Sequence, residues 1–465
     1  MSDIGCILYP PTLDYHYLVQ RPQHLMKNFS LQDISCMFMN LPGVFQRDFR
    51  GIEEINPQLF VFHEIDPVPY LNGIRPVVYY SATAQVDKVS RYNPALLVFD
   101  SVDEPSDEFA AWRPYYHRAV ASADVVLCTS EKLYHMARAI NSHVYLVPNG
   151  CDYDHFSRAA RGELARPYEL KHMEGPIIGY IGVIATWCDL ELIDRLARAY
   201  PHCQLVMVGP LYNVGRVPQR PNLHWLGFKA YDQLPAYAQA FDVGIIPFRQ
   251  TNMTESVNPI KMWEYMAAGL PVVSTALPEA SKYRELIHYS LDQDDFIENV
   301  GQALAHDTEE KRMRRLTLAR ENSWAARARE VVRIMEYHLA KKEPDYESLN
   351  QRPRLVPFRE MVAWPDGQPS RDTLITSSRP PRRRPVAPPE PAPHNNQLER
   401  QVKAGRTSRH LVNTPNSPEN LVAVPDAFSA YRKRAGAGDL RFHKAGLYIK
   451  SRLREAEELE PWMLE

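Results

Sequence analysis

Short apolar runs alternating with amphipathic helical patterns, in two successive series, constrain this chain more than any other feature. The first series runs Ile4 to Tyr9, Ser35 to Asn40, Leu59 to His63, Val77 to Tyr80, Leu96 to Asp100, Val125 to Thr129 and Val144 to Val147, with helices starting at Pro22, near Trp112 and at Glu131. The second holds Ile177 to Gly182, Gln204 to Val208, Leu223 to Leu226, Val243 to Pro247 and Pro271 to Thr275, with helical stretches at Leu190 to Tyr200, Asp295 to His306 and Ser323 to Lys341. Strands that are apolar along their whole length are buried on both faces, and the helices between them supply the crossovers that a parallel sheet requires. The expected fold class is therefore α/β, with two Rossmann-like, doubly wound domains facing a cleft. Ligands in such sheets sit at the carboxyl ends of the strands, and the space between two domains is the default pocket.

The expected boundaries are an N-terminal domain over 1–155, a polar linker over 156–175 and a C-terminal domain over 176–342. From 343 to 465 the sequence turns basic and Pro-rich, as in SRPPRRRPVAPPEPAP from Ser378 to Pro393. Such a tail cannot bury enough apolar surface to offset its ordering entropy and is expected to be largely disordered, with a short helix near 447–459. With 54 Lys and Arg against 56 Asp and Glu, no global field recruits nucleic acid or an anionic membrane, which leaves the basic tail as the route to a membrane surface or a protein partner. Six scattered cysteines without a C-x-x-C pair read as core residues of a reducing compartment. No Cys/His cluster has zinc spacing, so no metal is expected. The start MSDIGCILYPP lacks a signal-peptide pattern and no long apolar run follows, which predicts a cytoplasmic protein, at most peripheral at the membrane face.

The segment ESVNPIKMWEYMAAGLPVVST, Glu255 to Thr275, carries the most chemistry. Asn258 suits an N-cap and Pro259 the first helical position, while Gly269 and Pro271 mark the end. Lys261 then falls in the first turn, where the macrodipole disfavours a cation unless an anion lies between them. A phosphate resolves that conflict. Glu264, one turn on, is placed to accept hydrogen bonds from ribose hydroxyls, whereas the competing reading is an exposed i,i+3 ion pair worth a few tenths of a kcal/mol.

Other candidates sit at strand ends. Gly182 allows close backbone approach to a phosphate, and Arg249 follows the strand DVGIIPF as a second cation. Each has a plainer alternative, a turn glycine and an exposed loop arginine. Asp100, Asp103 and Glu104 end a strand, where they can bind acceptor hydroxyls or assist deprotonation; a helix-capping role for Asp103 competes. His16 and His24 lie in and after the first loop, and packing against the sheet is the alternative for both. No G-x-G-x-x-G occurs, which disfavours a dehydrogenase.

Several stretches together resemble the GT-B glycosyltransferases of the retaining family 4, especially bacterial enzymes of surface-polysaccharide assembly. They are QRPQHLM at 20–26, LVFDSVDE at 97–104, VPNGCD at 147–152, IGYIG at 178–182, HWLGFKAYDQLPAYAQAFDVGIIPF at 224–248, ESVNPIKMWEYMAAGLPVV and NSWAAR at 322–327. The resemblance implies transfer of a sugar, with retention, from a UDP- or GDP-linked donor to a hydroxyl on a glycan or lipid-linked acceptor; a nucleic-acid acceptor stays open. No cofactor beyond the nucleotide-sugar co-substrate is implied. The second glutamate of the family's E-x7-E motif falls on Glu264, and its first falls on Ser256, with Glu255 one residue out of register. Phe228 and Lys229 resemble the base-reading loop, and Arg21 and Gln23 the first loop facing the cleft on the acceptor side. Many relatives carry a diphosphate-binding Arg and Lys after the first strand of the second domain; here that region reads GVIATWCD, leaving Lys261 and Arg249. A related nucleotide-sugar epimerase and an inactive, tail-mediated scaffold are the alternatives.

Overall fold

The computed structural model describes residues 4–41, 50–342 and the strands at 374–376 and 421–423. The expectations for the rest of the tail, including the 447–459 helix, lie outside the described residues. The N-terminal part runs β1 (Cys6–Tyr9), α1 (Arg21–Ser30), β2 (Ser35–Asn40), β3 (Gly51–Asn56), β4 (Leu59–His63), β5 (Val77–Tyr80), β6 (Leu96–Ser101), α2 (Arg113–Ser122), β7 (Val125–Cys128), α3 (Glu131–Arg138), β8 (Val144–Leu146) and α4 (Tyr153–Ala160). The C-terminal part runs β9 (Ile177–Ile181), α5 (Leu190–Ala199), β10 (Gln204–Val208), β11 (Arg216–Pro218), β12 (Leu223–Gly227), α6 (Leu234–Ala240), β13 (Val243–Ile246), α7 (Asn252–Glu255), α8 (Ile260–Ala267), β14 (Val272–Ser274), α9 (Pro278–Ser281), β15 (His288–Tyr289), α10 (Gln293–His306), α11 (Glu309–Glu321) and α12 (Trp324–Lys342).

Two sheets result. The first has strand order β16-β3-β4-β2-β1-β5-β6-β7-β8, where β16 is Leu374–Thr376, and it is parallel except for the β3/β4 pair. The second, β12-β10-β9-β13-β14-β15, is parallel throughout. A further strand, β17 (Leu421–Ala423), pairs antiparallel with β11. The central strands are buried at every residue, as CILY in β1 and IIGYI in β9 show, because helices cover both faces. Helix α5 illustrates the local logic: Asp189 caps it by accepting the Leu192 N–H (3.1 Å), and Leu192, Ile193, Leu196 and Ala197 form its buried stripe.

The reading of 156–175 as a linker needs correction. Helix α4 occupies its start, and Phe156, Ala159 and Leu170 belong to the core of the C-terminal domain. The polar residues at the start of this stretch form the outer face of α4, which packs against α6 and α8, and the loop that follows is anchored by a 3-10 turn, Tyr168–Leu170, that buries Leu170. The chain passes between domains at Cys151, and again just before α12. At that second crossing Trp324 N–H bonds the Cys151 carbonyl (2.9 Å), so both passages lie side by side. Helix α12 then places Trp324, Ala328, Val331, Val332, Met335 and Leu339 in the core of the N-terminal domain.

Candidate functional site

Between the two sheets lies a cavity of about 470 Å³. From the C-terminal domain it is lined by the ends of β9 and β10, the 228–231 loop, and the start of α8. That helix begins one residue later than expected. Pro259 is its N-cap, with extended ψ of 114°, and makes no side-chain cap. The Asn258 side chain is employed elsewhere: its Nδ2 donates to Glu279 (3.2 Å) and its Oδ1 accepts from Trp263 Nε1 (3.2 Å). The first N–H groups of α8 are therefore left to a ligand or water.

Lys261 and Glu264 both face this space, and neither side chain has a hydrogen bond or ion pair among the described residues. Lys261 Nζ lies over the rings of Phe248 (4.6 Å) and Tyr180 (5.4 Å), and burial pulls its pKa down. Burial likewise pushes the Glu264 carboxyl up to about 7, a neighbouring Asp152 adding to the shift and Lys261 opposing it. Beside them β9 and β10 end in two glycines. Gly209 (φ +148°) could not carry a Cβ, which would stand 1.8 Å from the Gly182 carbonyl oxygen. Gly182 (φ +146°) leaves room for the Lys261 stem, since its own Cβ would lie 3.0 Å from Lys261 Cε. Phe228 packs on Tyr17 of the N-terminal domain (5.1 Å between centroids), and Lys229, also on the lining, pairs with Glu169 (2.7 Å).

Two of the C-terminal candidates stand elsewhere. Ser256 is fully buried and its hydroxyl donates back to the Met253 carbonyl (2.8 Å), closing α7 rather than facing the cavity. Glu255 is drawn outward by Lys132 of the N-terminal domain (2.9 Å). Arg249 is exposed and off the lining; its backbone N–H bonds the Trp187 carbonyl (2.8 Å) and its carbonyl takes the Thr254 hydroxyl (2.6 Å).

On the N-terminal side, most predicted groups are bound to one another. Asp100 is inaccessible and accepts from Arg21 Nε (2.7 Å) and from the Tyr79 hydroxyl, so it serves a buried ion pair and not the cavity. Arg21 does reach the lining, and it also donates to the Pro148 carbonyl and Asn149 Oδ1 (both 3.2 Å). Gln23 caps α1, its Oε1 accepting the Gln20 N–H (3.1 Å) and its Nε2 donating to the Asp14 carbonyl (3.2 Å). His24 is buried in an aromatic stack with Trp324 (5.1 Å), and burial depresses its pKa to about 3. Asp103 lines the cavity, and burial together with the Asp100 charge raises it to about 7. His16 also lines it, with Nε2 donating to Glu53 (2.8 Å). Against the upward push of burial, His16 and His63 hold Glu53 down at about 2. Among the described residues no group of three His, Cys, Asp or Glu side chains is placed to hold a metal, and no helix is long and apolar enough to cross a membrane.

Comparison with known proteins bears on the C-terminal domain first: residues 175–306 match the family model described as glycosyl transferases group 1. The C-terminal domain is thus similar to group 1 glycosyl transferases over residues 175–306. A curated relative from Bacillus subtilis (strain 168), "Putative teichuronic acid biosynthesis glycosyltransferase TuaH", is 31% identical over 231 residues. The match covers 46% of this chain and 57% of that relative's length. Among solved structures, the E. coli trehalose-6-phosphate protein bound with UDP-2-fluoro glucose aligns with TM-score 0.54 and 10% identity, covering 71% of this chain and 99% of its own. Anabaena Alr3699/HepE in complex with UDP and glucose aligns with TM-score 0.51 and 14% identity, covering 71% and 98%. At these identities the likeness is one of fold, and the fold is GT-B.

Several groups in and behind the two walls carry no local signal in the sequence. Glu53 and His63 behind His16, Tyr79 behind Asp100, Lys132 between Glu104 (2.7 Å) and Glu255, and Glu279 all act across long sequence separations. Only Gly209, at the end of an apolar run like Gly182, carried a local signal.

Proposed function

We propose that this chain is a retaining glycosyltransferase that moves a sugar from a nucleotide-sugar donor to a hydroxyl of a glycan or lipid-linked acceptor in polysaccharide or glycoconjugate synthesis. The observation that carries the reading is the pair of uncommitted, opposite charges at the open N-terminus of α8, Lys261 and Glu264, inside a domain similar to group 1 glycosyl transferases. In this reading the diphosphate lies between the first N–H groups of α8 and Lys261 Nζ, with the Gly182 backbone alongside. An anion there satisfies orphan helix donors and restores the lysine's charge balance in one step. Glu264, ionised above about pH 7, accepts the ribose hydroxyls, and the base lies toward Phe228.

Asp103 is the acidic group of the acceptor side. Near neutrality it is divided between its two protonation states, so it can hold an acceptor hydroxyl as donor or as acceptor. The departing diphosphate takes the acceptor proton on the face from which it leaves, an arrangement compatible with retention. Arg249, outside the lining, has no direct part. The relative's name, which places it in teichuronic acid biosynthesis, and the UDP-containing fold neighbours support the choice of donor class and acceptor class.

The test is calorimetric binding of UDP, GDP and ADP and their sugars to the full chain, followed by transfer assays with the donor that binds. Ligand binding to the folded state also raises the melting temperature by mass action. A flat response to every nucleotide ends this reading, and product formed from donor alone would redirect it to an epimerase.

A further inference from the structure

The two domains meet in a polar seam beside the mouth of α8, and one buried carboxylate serves both. Glu279, on α9, is 3% exposed. A carboxylate so buried persists only where donors satisfy both oxygens. Its Oε1 accepts the backbone N–H of Glu131 (3.0 Å), the first residue of α3 in the opposite domain. That N–H is one of the orphan donors of a helix N-terminus, and the dipole there favours an anion. Its Oε2 accepts from Asn258 Nδ2 (3.2 Å), and Lys282 Nζ approaches both oxygens (2.9 and 3.0 Å). Lys282 also pairs with the Glu131 carboxylate (3.0 Å). Two helix N-termini are thus treated differently. The end of α3 is served by a resident carboxylate from across the seam, and the end of α8 has no side-chain cap.

Asn258 joins the two. Its side chain binds Glu279 and Trp263 of α8, and its carbonyl accepts from Asn149 Nδ2 of the N-terminal domain (2.7 Å). We propose that Glu279 is a positioning residue that couples occupation of the α8 anion seat to closure of the two domains, acting through Asn258. The proposal rests on the glycosyltransferase reading, in that the anion is the diphosphate of the donor. When the domains part, Glu279 loses the Glu131 N–H and Asn258 loses Asn149. The segment that presents the first N–H groups of α8 is then held from one side only. A ligand that needs those N–H groups in place binds the closed arrangement better and must, by linkage, favour it.

The experiment measures UDP affinity by calorimetry and the radius of gyration by X-ray scattering, with and without UDP, on the full chain and on Glu279→Ala, Glu279→Gln, Asn149→Ala and Glu264→Ala. Coupling predicts that UDP compacts the wild-type chain. Glu279→Ala should then bind UDP about tenfold or more weakly and show no compaction, and Glu279→Gln, whose amide NH2 must face either the Glu131 N–H or the Asn258 amide, loses one of the two links and falls between Glu279→Ala and wild type in both. Asn149→Ala should follow Glu279→Ala in direction and decides the matter if that variant does not fold. A purely structural role would lower the melting temperature yet leave UDP affinity of the folded variants unchanged, which overturns the coupling. Loss of UDP binding in Glu264→Ala alongside wild-type affinity and compaction in Glu279→Ala removes the coupling and keeps the glycosyltransferase reading. Absence of UDP, GDP and ADP binding to the wild-type chain removes both.

Discussion

The two walls of the cavity treat their polar groups in opposite ways. On the C-terminal wall Lys261 and Glu264 have no hydrogen bond or ion pair among the described residues and α8 opens without a side-chain cap, although Lys229 and Asn258 of the same wall are engaged by Glu169 and Glu279. The N-terminal wall has engaged most of its own, with Arg21 on Asp100, Gln23 on the start of α1, and His16 on Glu53. Free, desolvated charges are costly in a fold and are kept where a ligand completes them, whereas mutually satisfied charges fix the shape of a wall. Ligand chemistry is thus concentrated on one side and geometry on the other, with Asp103 as the main exception.

Breaking the committed wall should cost the most stability. Arg21→Ala leaves Asp100 buried without its cation and is expected to lower the unfolding free energy by about 3–5 kcal/mol in denaturant titrations. If the loss is below about 1 kcal/mol, the pair is not a keystone and the contrast between the walls fails. On the open wall, Lys261→Ala and Glu264→Ala should each weaken UDP binding by about 2 kcal/mol, roughly thirtyfold, without loss of thermal stability. Calorimetry beside a melting curve separates the two walls directly.

Acidity sharpens the comparison further. Glu264 has a folded pKa of about 7 against an ordinary value of 4.5, so the folded state holds the proton more tightly and stability contributed by this group falls as pH rises between those values. Glu264→Gln should therefore be more stable than wild type at about pH 8, by up to about 2–3 kcal/mol, and show little gain at about pH 4.5. An equal effect at both pH values would mean that the carboxyl is not strained by burial. The smallest expected change is Ser256→Ala: it removes one hydroxyl bond to Met253, costs about 1 kcal/mol of stability and leaves UDP affinity alone. A large affinity loss there would return Ser256 to the ligand site.

The alternation of apolar runs announced both sheets because full burial of parallel strands leaves a continuous signature. It did not announce β3 or α11, whose sequences GIEEIN and EEKRMRRLTLARE carry too many charges for a strand or a stripe to stand out. In the site, Lys261, Glu264 and Gly182 were legible because helix-terminus and strand-end chemistry is local in sequence. Asn258 was assigned a cap that its chemistry permits, yet Glu279, twenty-one residues on, claims its amide instead. Asp100 fits the expected polarity of a cleft and is consumed by Arg21 at a separation of 79 residues, which no spacing rule could connect, whereas Gln23 is taken by a capping box with Gln20 three residues earlier. Distance along the chain, more than residue type, set the limit of what could be read.

The return of α12 to the first domain has a consequence for how the protein is made. Trp324, Val331, Met335 and Leu339 fill the same core as Ile7, Phe38 and Val77, so that core stays incompletely covered until almost the whole described chain has left the ribosome. Domains ordinarily complete themselves in order of synthesis, the N-terminal one first. Here the core of the first domain begun is completed after the core of the second, and a nascent chain halted before α12 is expected to leave that first core without one of its covers.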